Sequence, residues 1–251
     1  MIMAGRKRKD DRTGPPPEEK VDLSTWQPKT SLGKKVQSKE ISDIESILDQ
    51  GLPILESQIT DALVHGLEND LIMLGQSKGK FGGGARRVFK QTQKKTSEGN
   101  KPSFATIAVV GNKNGIVGMG YGKSKETVPA REKAVRNAKR NVFKIMRGCG
   151  SWQCNCKTPH SIPFKVYGKC GSAEITLMPA PKGKGLVVEK ECAKMLRLAG
   201  IKDCWSMTKG QSREKENLLV AVENALRQLI KVKLQPRFRE QLGIAEGMIK
   251  Q

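Results

Sequence analysis

Apolar positions along this chain fall into stretches of different period, and the periods predict the elements. Ile41, Ile44, Ile47 and Leu48 recur at helical spacing up to Gly51 and Pro53. Ile59, Ala62, Leu63 and Leu67 repeat the pattern in a second short helix that runs to about Asp70. The period then changes. A strand is expected near Arg87–Gln93, bounded by Gly82-Gly83-Gly84 and a polar loop. Ser103–Gly111 (SFATIAVVG) is rich in β-branched residues and reads as a buried strand. Asn112-Lys113-Asn114-Gly115 marks a hairpin turn, because such turns need positive φ. A glycine-rich strand, IVGMGYG, follows. A helix begins near Pro129, with Ala130, Ala134, Ala138, Val142 and Ile145 at helical spacing.

A second unit carries strands at Ile162–Tyr167 and Ala173–Met178, then the loop PAPKGKG. It continues with a helix over Glu189–Ala199, a short strand Asp203–Met207 and a long helix Lys215–Lys233. The class is α+β, with connections short enough for compact packing. Residues 1–40 hold Pro15, Pro16 and Pro17, scattered charge and few apolar positions, which predicts a flexible basic tail. Trp26 either anchors the end of that tail or is a lone exposed aromatic. The organisation expected is therefore a tail (1–40), an acidic helical segment (41–70), a first domain (71–147), a cysteine-rich linker with a first strand (148–170), the remainder of an α/β domain (171–233) and a weakly ordered extension (234–251).

Charge sharpens the picture. The 251 residues carry a formal net charge of +21, which favours a polyanionic partner over a bare small-molecule substrate. The distribution is uneven: residues 41–75 sum to −7 and residues 76–147 to +15. The acidic segment is suited to packing on the next domain or on a basic neighbour, and the basic segment to RNA. No apolar run approaches the roughly 20 residues that span a bilayer. The N-terminus has basic residues without an apolar stretch behind them, so a cytoplasmic location is expected and a membrane partner is not.

Few residues suggest catalysis. Gly122-Lys123-Ser124 resembles the end of a phosphate-binding loop, but the glycine required five residues earlier is Val117. His65 and His160 are the only histidines and stand far apart. The cysteines are more informative. Cys149, Cys154, Cys156, His160 and Cys170 offer five soft or borderline ligands, where tetrahedral zinc takes four. Cys149, Cys154 and Cys156 are the expected core of one structural zinc site, with His160 or Cys170 fourth; Cys170 could equally be a small buried residue at a strand end.

Several blocks resemble a known family in the right order. Gly111–Val128 (GNKNGIVGMGYGKSKETV) running into a basic helix, then GCGSWQCNCKTPHSIPFKVYGKCGS, LMPAPKGKGLVV and AGIKDCWSMTKGQSR, are similar to the universal small-subunit ribosomal protein five family (S-five in bacteria, S-two in eukaryotes), in its archaeal form. The resemblance covers about residues 41–233. It implies an N-terminal domain like double-stranded-RNA-binding folds and a C-terminal two-layer α/β domain. It also implies a structural, non-catalytic role on small-subunit rRNA, beside the path where messenger RNA enters, in support of decoding accuracy. Ribosomal proteins S-three, S-four and S-eight are the neighbours implied, and no homo-oligomer is expected. The Gly-rich stretch Gln76–Ala85 looks inserted relative to the family pattern, and the end after about 234 has no counterpart in it.

Lysine and arginine displace counterions from phosphate, and A-form RNA is read mainly through phosphates and 2′-hydroxyls. The contacts expected are Arg86, Arg87 and Lys90 on the first strand, Lys94 and Lys95 in the following loop, and Lys113 in the hairpin. Lys123 and Lys125 at the helix entrance, then Lys139, Arg140 and Arg147, complete the set. The alternative function is a stand-alone double-stranded-RNA-binding regulator or an RNA-modifying factor.

Overall fold

The structure is a computed structural model and describes residues 26–77, 79, 86–154 and 156–249. Three short helices come first: α1 (Ser31–Gln37), α2 (Ile44–Asp49) and α3 (Ser57–Leu63). A five-stranded antiparallel sheet follows, made of β1 (Glu68–Leu71), β2 (Lys90–Thr96), β3 (Gly99–Gly111), β4 (Ile116–Ser124) and β5 (Val142–Lys144). Helix α4 (Thr127–Arg140) connects β4 to β5. Both β1 and β2 pair with the same edge of β3, β1 along residues 108–111 and β2 along residues 99–105, while β4 lies on the other edge.

Strand β3 shows why an unbroken apolar run fits here. Its alternate side chains point to opposite faces, and both faces are covered. Ala108 and Val110 face a cluster with Ala134 and Ala138 of α4 and with Ile44, Ile47, Ile59 and Leu63 of the N-terminal helices. Ile107 and Val109 face the second half of the chain, in one cluster with Met195, Leu196, Leu198, Leu226 and Leu229. Each such aliphatic side chain contributes roughly 1.5–3 kcal/mol on burial, so the sheet is the shared wall between two cores.

The second half holds β6 (Met146–Arg147), β7 (Val166–Cys170), β8 (Ala173–Pro179), β9 (Leu186–Val187) and β10 (Cys204–Lys209), with helices α5 (Lys190–Leu198) and α6 (Lys215–Lys231). Strand order in its four-stranded sheet is β7-β8-β10-β9; the β9–β10 pair is parallel and the others antiparallel. Last come α7 (Pro236–Gln241) and β11 (Ala245–Glu246), which pairs with β6.

Several expectations change. The first-domain helix stops at Arg140, and Val142 lies on β5 rather than on the helix with Ala138. Asn141 ends it, with its side-chain amide donating to the Met119 carbonyl (3.1 Å) and to Glu223 (3.1 Å). A strand, β1, stands where the second amphipathic helix was expected to end. The expected tail lies outside the described residues up to position 25, but residues 26–40 include α1, whose Val36 is buried. Trp26 does anchor this end: its indole donates to Glu56 at 2.9 Å.

The C-terminal extension is also structured. Besides the β6–β11 pair, the Cys149 N–H donates to Leu242 O (2.8 Å), and the Met248 N–H donates to Glu45 of α2 (2.5 Å). Lys144 pairs with Asp49 and with Glu246 (2.8 Å), tying the acidic segment, the sheet and the C-terminal segment together. Of the inserted stretch Gln76–Ala85, residues 78 and 80–85 lie outside the described residues.

Candidate RNA-binding surface and cysteine-histidine group

The hairpin of β2 and β3 projects a ribbon. Residues 91–95 are all exposed, as are residues 99–102 opposite them, so this part of the ladder has no apolar cover. Lys94 and Lys95 lie on β2, not in the loop after it; Lys94 pairs in register with Lys101 and Lys95 with Asn100. Lys123 at the end of β4 and Lys125 before α4 are exposed at the other edge. Arg86 is half-buried and Arg87 exposed, in a segment bridged to Ser77.

Helix α4 presents Ala130, Ala134 and Ala138 to the sheet. The approach is close because a Cβ on Gly118, Gly120 or Gly122 would meet α4 backbone at 2.4, 2.1 and 2.2 Å. That geometry fixes the outward face, where Lys133, Arg136 and Arg140 are exposed. Lys133 and Arg136 were not singled out from the sequence, nor was Lys101. The alanine stripe is the signal that identifies the helix pair, since the residues opposite a buried stripe face solvent.

Other expected contacts are engaged internally. Lys139 pairs with Asp61 at 2.7 Å, with both side chains largely buried. Lys113 pairs with Glu68. Lys90 lies 3.3 Å from Glu216 and 3.6 Å from Glu214; burial opposes its charge, but the two carboxylates outweigh that and raise its pKa. Arg147 is only 5% exposed. Its Nη2 donates to Asn114 Oδ1 (2.7 Å) and to Gly247 O (3.4 Å), which joins the β3–β4 hairpin to the C-terminal segment.

The loop between β6 and β7 gathers Cys149, Cys154, Cys156 and His160, whose ligand atoms all lie within 4.8 Å of one another. Cys149 and His160 are buried, and the other two are half-buried. Hydrogen bonds of Gly148 with Ser161 and of Gly150 with Ile162 fold the loop back on itself. Cys154 Sγ is 3.9 Å from His160 Nε2. The other ring nitrogen, Nδ1, is 2.7 Å from Asp203 Oδ2, so the imidazole is oriented with Nε2 toward the thiols. Asp203 was not singled out from the sequence; it lies 43 residues from His160 and only the fold joins them.

Thiol acidity differs across the group. Burial pushes Cys149 up to about 11, reinforced by its thiol neighbours. Burial also acts on Cys156, but bonds from the Thr158 hydroxyl and N–H and from the other thiols bring it down to about 6. Cys170 is elsewhere, at the end of β7 with its thiol 3.9 Å from Asn217 Oδ1. His160 therefore stands as fourth member, and the group could hold a metal ion.

Comparison with known proteins gives this arrangement its context. The ribosomal protein S5 N-terminal domain matches residues 86–146, and the ribosomal protein S5 C-terminal domain matches residues 168–237. The small ribosomal subunit protein uS5 of Nanoarchaeum equitans is 45% identical over 229 residues, covering 91% of this chain and 98% of the relative. The chain belongs to the ribosomal protein S5 family. The Methanocaldococcus jannaschii uS5 is 43% identical over 230 residues (92% of this chain, 99% of the relative), and that of Pyrobaculum calidifontis 45% over 214 residues (85% and 98%). As a member of the S5 family the chain is a structural protein, not an enzyme, and the two matched domains are the two halves that share the β3 wall. Among the described residues no helix is long and apolar enough to cross a membrane.

Proposed function

We propose that this chain is a structural constituent of the small ribosomal subunit in the cytoplasm. It grips small-subunit rRNA through the β2–β3 ribbon and the outer face of α4. The observation that carries the reading is the ribbon itself: Lys94, Lys95 and Lys101 stand on paired strands that bury nothing, beside exposed Lys123 and Lys125. A rigid strand pair spaces its cations to meet successive phosphates, and releases their counterions on binding. Arg86, Arg87 and Arg140 extend the same surface. Lys90, Lys113, Lys139 and Arg147 are already engaged within the protein and serve first to hold it together. In the subunit, the surface lies beside the path where messenger RNA enters and supports decoding accuracy, with S-three, S-four and S-eight as neighbours.

The test is binding of the full chain to a small-subunit rRNA transcript between 50 and 200 mM salt. Affinity is expected to fall by about 10²-fold or more if several phosphates are contacted, and Lys94→Gln with Lys95→Gln is expected to flatten the slope. Binding insensitive to salt overturns the electrostatic part of the reading. Failure to co-sediment with the small subunit through a high-salt gradient favours a stand-alone RNA-binding regulator instead.

We further propose that Cys149, Cys154, Cys156 and His160 hold one zinc ion. Zinc–sulfur bonds of about 2.3 Å in a tetrahedron put ligand atoms roughly 3.8 Å apart, so the observed group needs only a small contraction. Four protein ligands make a closed, structural site, which would staple a loop that otherwise buries few apolar side chains. Elemental analysis of chain purified without chelator is expected to find about one zinc. Cys154→Ser is expected to lose it, while Cys170→Ser and Cys192→Ser retain it. Metal-free protein, or loss of zinc on replacing Cys170, overturns this ligand set.

A further inference from the structure

A cleft of about 610 Å³ lies where the two halves meet, lined by Lys113, Arg147, Lys182 and Lys202 together with His160 and Asp203. Lys113 comes from the β3–β4 hairpin, Arg147 from β6, Lys182 from the loop after β8, and Lys202 from the turn before β10. The hairpin is docked on the end of α5 by bonds from the Lys113 N–H to Leu198 O (2.8 Å) and from the Gly115 N–H to Ala199 O (3.2 Å). The cleft is thus a fixed feature of the junction.

Its unusual member is Arg147. The residue is only 5% exposed, and among the described residues no carboxylate pairs with it and its Nε–H has no acceptor. The carboxylate lining the cleft cannot compensate, since Asp203 Oδ2 is engaged by His160 Nδ1 (2.7 Å) and Oδ1 by the Gly185 N–H (2.7 Å). A buried cation without an anion is costly, and a guanidinium fork is matched to phosphate oxygens. Lys182 and Lys202 are exposed at the rim, and neither forms an ion pair among the described residues.

We propose that this cleft is a second RNA-binding site, which takes one backbone phosphate of the bound rRNA against Arg147 with Lys182 and Lys202 closing over it. The proposal rests on the RNA-binding reading above and adds a contact from the second half of the chain, where the ribbon belongs wholly to the first. It also places the RNA against Pro159 and His160, so the cysteine-histidine loop forms one wall of the site.

The experiment measures affinity of the full chain for a small-subunit rRNA transcript across a salt series, comparing wild type, Lys182→Gln/Lys202→Gln and Lys94→Gln/Lys95→Gln. Both pairs are exposed, so neither replacement disturbs packing. Loss of the single phosphate contact in the cleft variant is expected to reduce the slope of log K against log salt by about 0.7–0.9, and loss of two contacts in the ribbon variant by about 1.4–1.8. A flattened slope for the ribbon variant with an unchanged slope for the cleft variant overturns the cleft and leaves the RNA-binding surface standing. No change in either variant overturns both. A parallel calorimetric titration with inorganic phosphate separates the sources: heat that Lys182→Gln/Lys202→Gln abolishes, with an unchanged rRNA slope, identifies a free-anion site and overturns the assignment to RNA.

Discussion

His160 Nδ1 and Asp203 Oδ2 lie 2.7 Å apart, each side chain only 5% exposed. Ser161 Oγ donates to Asp203 O (2.5 Å), and the N–H groups of Lys202 and Asp203 donate to His160 O (2.8 and 3.2 Å). The residues just before β10 thus hold the loop histidine from both its ring and its backbone. Such a carboxylate partner fixes the orientation of a ligating imidazole and makes it a better donor. Asp203→Asn is expected to weaken zinc binding by about 10- to 100-fold, read by competition with a chromogenic chelator. Equal affinity in the variant would show that His160 is not a ligand.

Gly120 has no room for a methyl group. Its Cβ would lie 2.1 Å from Ala138 N and 2.4 Å from Ala134 O, both backbone atoms of α4. Helix and sheet would have to separate, undoing the cluster of Ala108, Val110, Ala134 and Ala138. Gly120→Ala is expected to cost about 3 kcal/mol, seen as a urea midpoint lower by about 1 M. A midpoint unchanged from wild type would mean that α4 does not pack as described.

Lys139 and Arg140 are neighbours in different surroundings, the first largely buried against Asp61 and the second exposed. Lys139 joins Asp61 of α3, and the Thr60 hydroxyl donates to Lys139 O (2.7 Å), so the pair fastens the N-terminal helices to α4. Removing one member strands the other's charge in a poorly solvated place. Lys139→Met is expected to destabilise the protein by about 3 kcal/mol and to lower its thermal midpoint. Arg140→Ala should leave the midpoint in place and weaken rRNA binding. The opposite pattern would reverse their assignments.

Glu56 gives the N-terminal helices a pH dependence. Burial raises its pKa, but N–H bonds from Thr30 (2.7 Å) and Lys29 (2.9 Å) and the Trp26 indole outweigh this and hold it below the usual 4.5. A depressed carboxyl contributes stability that is fully present above the unfolded pKa and is lost as pH falls through the folded one. Docking of Trp26 and α1 is therefore expected to be pH-independent near neutrality and to fail below pH 4.5. The indole N–H resonance of Trp26 reports this, and Glu56→Gln should show the weakened state even at pH 7. A resonance that stays in place however far the pH falls below 4.5 would contradict it.

Local pattern read well where local physics dominates. The β-branched run of β3 could be nothing but a buried strand, and the hairpin after it followed from Asn112–Gly115, although the positive φ falls on Lys113 and Gly115 rather than on Asn114. Helix α6 kept its start at Lys215 and ended two residues earlier than expected. Pattern misled where one spacing serves two structures. Val142 lies four residues after Ala138, which fits a helix, yet the side-chain bonds of Asn141 turn the chain into β5. Strand β1 escaped notice because Glu68, Asn69 and Asp70 are polar and its partner begins 37 residues further on.

By itself the sequence determined what depends on neighbours along the chain: the α+β class, the basic stretch against the acidic one, the ordered motifs of the S5 family and the three clustered cysteines. Tertiary structure decided which cations remain free, because the pairings of Lys139 with Asp61 and of Lys113 with Glu68 join residues many positions apart. It likewise set His160, and not Cys170, beside the three thiols, and gave the C-terminal segment its place against Cys149 and Glu45. These outcomes follow from packing summed over both halves of the chain. A contact across 203 residues, such as Met248 to Glu45, leaves no trace in the spacing of either end.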